Sequence, residues 1–260
     1  MKQKWLGNQN KKFDLNFLFC GNSGSGKTHF AATYTGGPIH FYMLDRGGEK
    51  TLEKLLSLHN NDKSPITIDN LASSENPFSA LWLQIQKDEK EGFFDYLAEN
   101  KGLLVLDSIT SANEKAIEEI LTKDNVKPPT IGKKIDHKKG MSMPHWGQLL
   151  SWMQLLTAAF QEMPCATIIN VHLHTLMNSN QEVVARYPSV SGQFKQLLSK
   201  DFDETYLLEA RGNNHIIHFK ERYKFEAKSR IFNQKEVRNA TLDDLVNAYL
   251  TNKNEIEIKK

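Results

Sequence analysis

Cysteine is scarce in this chain, with only Cys20 and Cys165 among 260 residues. Both sit in apolar, strand-like runs, so they read as reduced core thiols, and a disulfide scaffold is excluded. Charge of one sign is also lacking. Lys and Arg number 33 against 31 Asp and Glu, a formal net charge of +2, so any surface for nucleic acid has to be local. No run approaches the roughly 18 apolar residues that span a membrane. The opening Met-Lys-Gln-Lys-Trp-Leu-Gly has no apolar stretch of the kind a secretory signal needs. The expectation is a cytoplasmic protein without a membrane partner. No internal repeat is visible. With 39 % hydrophobic residues the composition suits one sizeable α/β domain.

The most informative stretch is Gly21-Asn22-Ser23-Gly24-Ser25-Gly26-Lys27-Thr28. It follows the apolar run Leu15–Cys20 and precedes His29–Thr33, which can begin a helix. This is G-x-x-x-x-G-K-[ST] in strand–loop–helix context, a phosphate-binding loop. Its glycines let successive N–H groups converge on one anion. Lys27 can reach the β- and γ-phosphates, and the Thr28 hydroxyl can hold Mg²⁺. Residues Gly21 to His29 are therefore the candidate ATP contacts.

Along the chain, residues 1–12 form a polar arm, 13–250 one domain, and 251–260 a charged, disordered tail. Strands are predicted over Leu15–Cys20, Ile39–Leu44, Ile66–Ile68, Leu103–Asp107 and Ala166–Val171. Three later strand-like runs are Glu204–Leu208, His215–Lys220 and Tyr223–Ala227. Helical patterns cover Glu49–His59, most of Asn76–Asn100, Ser111–Lys123, His145–Phe160, Phe194–Leu198 and Thr241–Leu250. Ser111 with Glu114 three residues on has capping-box spacing. Asp124–Met143 reads as a long mobile loop, and Asn178–Gly192 as a polar connection. Alternating strands and helices followed by a β-rich end predict a mostly parallel central sheet, flanked by helices, with an antiparallel C-terminal portion.

Asp107 closes a buried strand and is the natural second Mg²⁺ ligand beside Thr28. The next residue is Ser108, where loader and unfoldase ATPases of the AAA+ kind usually carry Glu. RecA-type ATPases have Asp-Ser, with the water-activating carboxylate at the end of the neighbouring strand. Asp45 holds that place here and Glu49 is the reserve. A turn residue beside two glycines is the alternative for Asp45.

Taken together, Gly21–Thr28, Leu104–Ser108 and Thr167–His172 resemble a RecA core, and Ala227-Lys-Ser-Arg230 resembles the Lys-x-Arg element of archaeal RadA. The chain from about residue 13 to 250 is similar to phage P-loop nucleotide-binding proteins built as a bare RecA core (AAA-type phage ATPases). Some of these are grouped with single-strand-annealing recombinases. The resemblance implies a RecA-like ATPase, stimulated by single-stranded DNA, in phage-type recombination or replication, within a host cytoplasm if phage-encoded. It implies that His172 senses the γ-phosphate in place of the usual glutamine. It also implies that Lys228 and Arg230 reach a neighbour's site in a ring or short filament. Packed histidines, and a solvated basic stripe, are the alternatives for these positions. A single-strand-binding protein or replication helicase is a possible partner.

Two stretches suit single-stranded DNA. One occupies the place of RecA's second DNA loop, with Asn178, Asn180, Gln181, Arg186 and Tyr187 supplying amide, cationic and stacking groups. The other is locally basic, with Lys133, Lys134, Lys138 and Lys139. Two further readings remain open: an annealing protein with a regulatory, non-turning-over nucleotide site, and an ATP-driven loader or packaging accessory that binds protein partners.

Overall fold

In the computed structural model, the run Asn16–Gly21 (β1) forms the strand that carries the glycine loop. The structure describes residues 15–256 apart from 60–63, 127–129, 132–133, 136, 201, 213, 223, 252 and 254. The expected N-terminal arm lies outside the described residues. After β1 come α1 (Lys27–Ala31), β2 (Ile39–Met43), α2 (Gly48–Glu53), β3 (Ile66–Asn70), α3 (Pro77–Lys90), α4 (Phe93–Glu99), β4 (Leu103–Asp107) and α5 (Ile109–Lys123). Then follow β5 (Thr130–Ile131), β6 (Lys134–Ile135), α6 (Met143–Glu162), β7 (Ala166–Met177), β8 (Val183–Pro188), α7 (Phe194–Leu197), β9 (Glu204–Arg211), β10 (Asn214–His218), β11 (Glu236–Arg238) and α8 (Leu242–Leu250).

The main sheet runs β11-β10-β9-β1-β7-β4-β2-β3, with β8 paired to β7. From β3 to β9 every pairing on this path is parallel, while β10 and β11 are antiparallel. Strands buried on both faces read as continuous apolar runs, which is why β1, β2 and β4 were legible. Alternation then sorts their side chains. Leu18, Cys20, Tyr42, Leu104 and Leu106 face the α3, α5 and α6 layer. Phe17, Phe19, Phe41, Leu103 and Val105 face Phe30 of α1, Leu52 of α2 and Leu245 of α8. Both cysteines are free and buried, and burial pushes the Cys165 thiol up to about 12. No helix among the described residues is long and apolar enough to cross a membrane.

Several predicted boundaries need correction. Asn76–Asn100 is two helices, parted at Gly92, whose φ of 72° lies in the left-handed region that favours glycine. The N-cap of α5 is Ser108, which accepts from Ser111 N; Ser111 is already inside the helix and spends its hydroxyl elsewhere. The polar stretch after residue 178 is half of a hairpin, with β8 antiparallel to an extended β7. Part of the expected 124–143 loop is a small two-stranded ribbon, β5 with β6. Tyr223–Ala227 is not a strand: the described residues there make only isolated bridges, Arg222 with Phe225 and Lys228 with Thr205. Within the expected tail, Ile256 is buried against the α8 layer.

Candidate nucleotide site

The order of the sheet builds the site. Because β7 lies between β1 and β4, its residues sit beside both the glycine loop and the end of β4. The register pairs Gly21 with His172. On the other side, Met43 pairs with Asp107, which brings Asp45 over the end of β4. A cleft of about 350 Å³ opens at these strand ends, lined by Lys27, Thr28, His29, Asp45, Asp107 and His172 among others.

The loop needs its glycines. Gly24 and Gly26 have φ of 76° and 90°, in the left-handed region that β-carbons disfavour. A Cβ on Gly21 would stand 2.6 Å from Leu208 O, too close for backbone to yield. Lys27 Nζ donates to Gly21 O (2.9 Å) and Asn22 O (3.1 Å), and lies 3.3 Å from His172 Nδ1. Burial holds its ammonium below the ordinary lysine range, against the pull of Asp107. Since that ammonium can only donate, Nδ1 accepts and His172 Nε2–H donates to Asp45 Oδ2 at 3.1 Å. Asp45 also accepts from Ser111 Oγ. Burial pushes the Asp45 carboxyl up, but the bonds from His172 and Ser111 outweigh it and hold it below the usual range.

Thr28 Oγ1 donates to Asp107 Oδ2 at 2.6 Å. Burial raises the Asp107 carboxyl, opposed by the Thr28 hydroxyl. A hydroxyl and a buried carboxylate, both hard oxygen donors facing a phosphate cradle, fit Mg²⁺. Of the two carboxylates expected to orient water, only Asp45 faces the cleft. Glu49 is exposed on α2 and accepts from Asn70 Nδ2 at 2.8 Å.

His29 stacks on His215 of β10, centroids 5.6 Å apart and planes 15° from parallel. Lys228 and Arg230 do not line this cleft. Lys228 Nζ donates to Lys200 O, and the exposed Arg230 guanidinium pairs with Asp203. Their segment is anchored by Glu204, a residue that no motif flagged. Glu204 accepts from Tyr206 Oη, Ser229 Oγ and Arg230 N.

The candidate DNA groups are spread over three places. Asn178 and Asn180 lie at the β7–β8 tip, where Asn178 Oδ1 accepts from Asn180 N and Glu182 N; Gln181 takes the left-handed conformation there. Arg186 on β8 turns inward and pairs with Glu209 at 3.1 Å. Tyr187 packs on His174 and under Lys195, whose Nζ is 5.0 Å from the ring centre. Lys138 and Lys139 are exposed. Lys133 lies outside the described residues, as does the Lys134 side chain.

The topology, the glycine loop after β1 and the paired Thr28 and Asp107 define a RecA-like P-loop NTPase fold with an ATP-type nucleotide site. Residues 14–231 match the AAA domain family (AAA_24), and the chain belongs to it. Solved structures with a similar fold include the RadB recombinase (14 % identity, 87 % of this chain and 87 % of that one, TM-score 0.46). A prototypical ATPase from the type III secretion system of pathogenic bacteria also matches, at 15 % identity over 75 % of this chain and 52 % of that one, TM-score 0.45. The type III secretion ATPase EscN from enteropathogenic E. coli matches at 15 %, over 76 % of this chain and 43 % of that one, TM-score 0.43. The chain thus spans about half the length of the secretion ATPases it resembles. No curated protein matches it.

Proposed function

We propose that this AAA-domain protein hydrolyses Mg-ATP as a homo-oligomer and couples its nucleotide state to single-stranded DNA, in recombination or replication of the phage type. The observation that carries the reading is the continuity of β7. It runs from His172 in the cleft to Met177 at the hairpin without a break in its pairing to β8 beyond one bulge.

ATP binding gives Lys27 a stronger partner than Gly21 O, Asn22 O and His172 Nδ1, so the lysine moves to the phosphates. His172 then loses one of its two side-chain partners while keeping Asp45. Ionised Asp45 accepts a hydrogen bond from the attacking water and orients it; its depressed pKa makes it a positioning group rather than a strong base. Bound Mg²⁺, held by Thr28 and Asp107, would neutralise charge on the phosphate oxygens. Lys228 and Arg230 reach the cleft of a neighbouring copy, where a cation delivered in trans contributes about 10³–10⁵ in rate.

The DNA surface is the β7–β8 hairpin, with the separate basic turn at Lys138 and Lys139 as a second contact. Leu176, Met177 and Val184 are exposed on that hairpin, an apolar patch suited to bases or a neighbour. Tyr187 and Lys138 add stacking and phosphate contact. ATP turnover with and without single-stranded DNA, in wild type and Lys27→Ala, tests the reading. DNA-stimulated turnover that Lys27→Ala abolishes supports it. Tight ATP binding without turnover, together with annealing that survives Lys27→Ala, replaces it with a nucleotide-gated annealing protein. Capture of a helicase without DNA affinity would favour a loader.

A further inference from the structure

At the far end of β2 from the nucleotide, three potential ligands converge. His40 is the second residue of β2, Asp69 lies on β3 and Asp88 on α3. One ligand atom from each falls within 4.8 Å of the others. Asp45 is five positions along the chain from His40, so the histidine sits roughly 15 Å from the cleft.

The histidine carries the argument. His40 is only 5 % exposed, and its Nε2 makes no hydrogen bond. Its closest carboxylate oxygen, Asp69 Oδ2, stands 3.4 Å away. Thr67 Oγ1 donates to Ile39 O (3.4 Å), which leaves it to accept from Nδ1–H at 2.8 Å. That tautomer turns the Nε2 lone pair toward two carboxylates. A buried lone pair facing two anions calls for a cation.

The surroundings are those of a held ligand set. The His40 ring is fixed edge-to-face by Tyr42 (4.7 Å) and Phe93 (5.0 Å). Tyr42 Oη donates to Asp88 Oδ2, and Gln84 Nε2 donates to Asp88 Oδ1 at 2.9 Å, which orients that carboxylate as outer-shell donors do. The Asp69 side chain is 33 % exposed, so solvent can enter and complete the shell.

We propose that His40 Nε2, Asp69 and Asp88 bind one first-row divalent cation, with water as the remaining ligand. One imidazole and two carboxylates suit zinc, with three protein ligands and an open position. The ion would tie the edge strand β3 to β2 and α3, and it stabilises the fold because the set is assembled only when folded.

The test is titration of chelator-stripped protein with Zn²⁺, by calorimetry and thermal melting, in wild type, Asp69→Asn and Tyr42→Phe. Wild type should bind one equivalent and its Tm should climb with zinc concentration. Asp69→Asn, on a partly exposed side chain, should fold, bind Mg-ATP as wild type does, and bind zinc at least about tenfold more weakly. Tyr42→Phe should weaken zinc roughly 10–100-fold, the usual cost of a lost outer-shell partner. No stoichiometric binding by wild type overturns the proposal. So does zinc binding that Asp69→Asn leaves unchanged, which would place the ion elsewhere, for example at His172 and Asp45.

Discussion

His172 Nε2 donates to Asp45 Oδ2 at 3.1 Å while its other nitrogen, Nδ1, lies 3.3 Å from the Lys27 ammonium. One imidazole therefore joins the lysine of the glycine loop to the carboxylate that would orient water. Asp45→Asn keeps the shape but removes the charge. Turnover should fall about 10²–10⁴-fold, with ATP affinity close to wild type. Steady-state kinetics beside equilibrium nucleotide binding checks this. Stability gives a second readout. The folded pKa of Asp45 is lowered, so its contribution is present above the unfolded value of about 3.9 and is lost as pH falls through the folded one. Denaturant melts should show Asp45→Asn losing less stability than wild type over that acid window.

Asp107 should behave with the opposite sign. Burial raises its folded pKa, so the native state binds more protons than the unfolded chain between the two values. Wild-type stability without nucleotide should decline as pH rises through that window. Asp107→Asn, still able to accept from Thr28, should remove the slope and melt higher than wild type at neutral pH. The same variant should lose Mg-ATP turnover. A neutral-pH Tm at or below wild type would contradict the sign.

Much of this site was legible because its chemistry is local in sequence. The loop at Gly21–Thr28 and the strand ending at Asp107 each announce themselves within eight residues, and both apolar runs sit in the sheet centre. The long-range partners were not legible. Ser111 reads as an N-cap, yet Ser108 caps α5 and Ser111 holds Asp45, 66 positions away. The N-terminus of α3 has no side-chain cap from Asn76; Glu119 of α5 accepts from Phe78 N and Ser79 N instead. Polar residues after 178 suggested a loop because hairpin pairing to β7, not their own apolarity, makes them a strand.

Glu204 shows what such a hidden partner is worth. It is fully buried and accepts from two hydroxyls and one backbone N–H. Glu204→Ala leaves these donors without an acceptor, at about 1–3 kcal/mol for each unsatisfied group. Loss of roughly 3 kcal/mol or more is expected in urea titration. Glu204→Gln retains one carbonyl oxygen and should cost less. If the 228–230 segment serves a neighbouring site, Glu204→Gln should also lower turnover while ATP binding holds.

Delivery in trans can be separated from action in cis by mixing. Arg230 is 70 % exposed by side chain and paired with Asp203 at the surface, while Lys27 is buried in its own cleft. Arg230→Ala alone should bind ATP normally and turn over about 10³-fold more slowly. Lys27→Ala alone should fail to turn over, yet it keeps an intact Arg230. When the two inactive variants are mixed, some interfaces pair an intact cleft of the Arg230→Ala chain with Arg230 of the Lys27→Ala chain. Turnover should reappear, rise with the fraction of mixed interfaces and vanish on dilution below the assembly concentration. A cation acting within its own chain predicts no recovery at any ratio, because neither polypeptide then holds both groups.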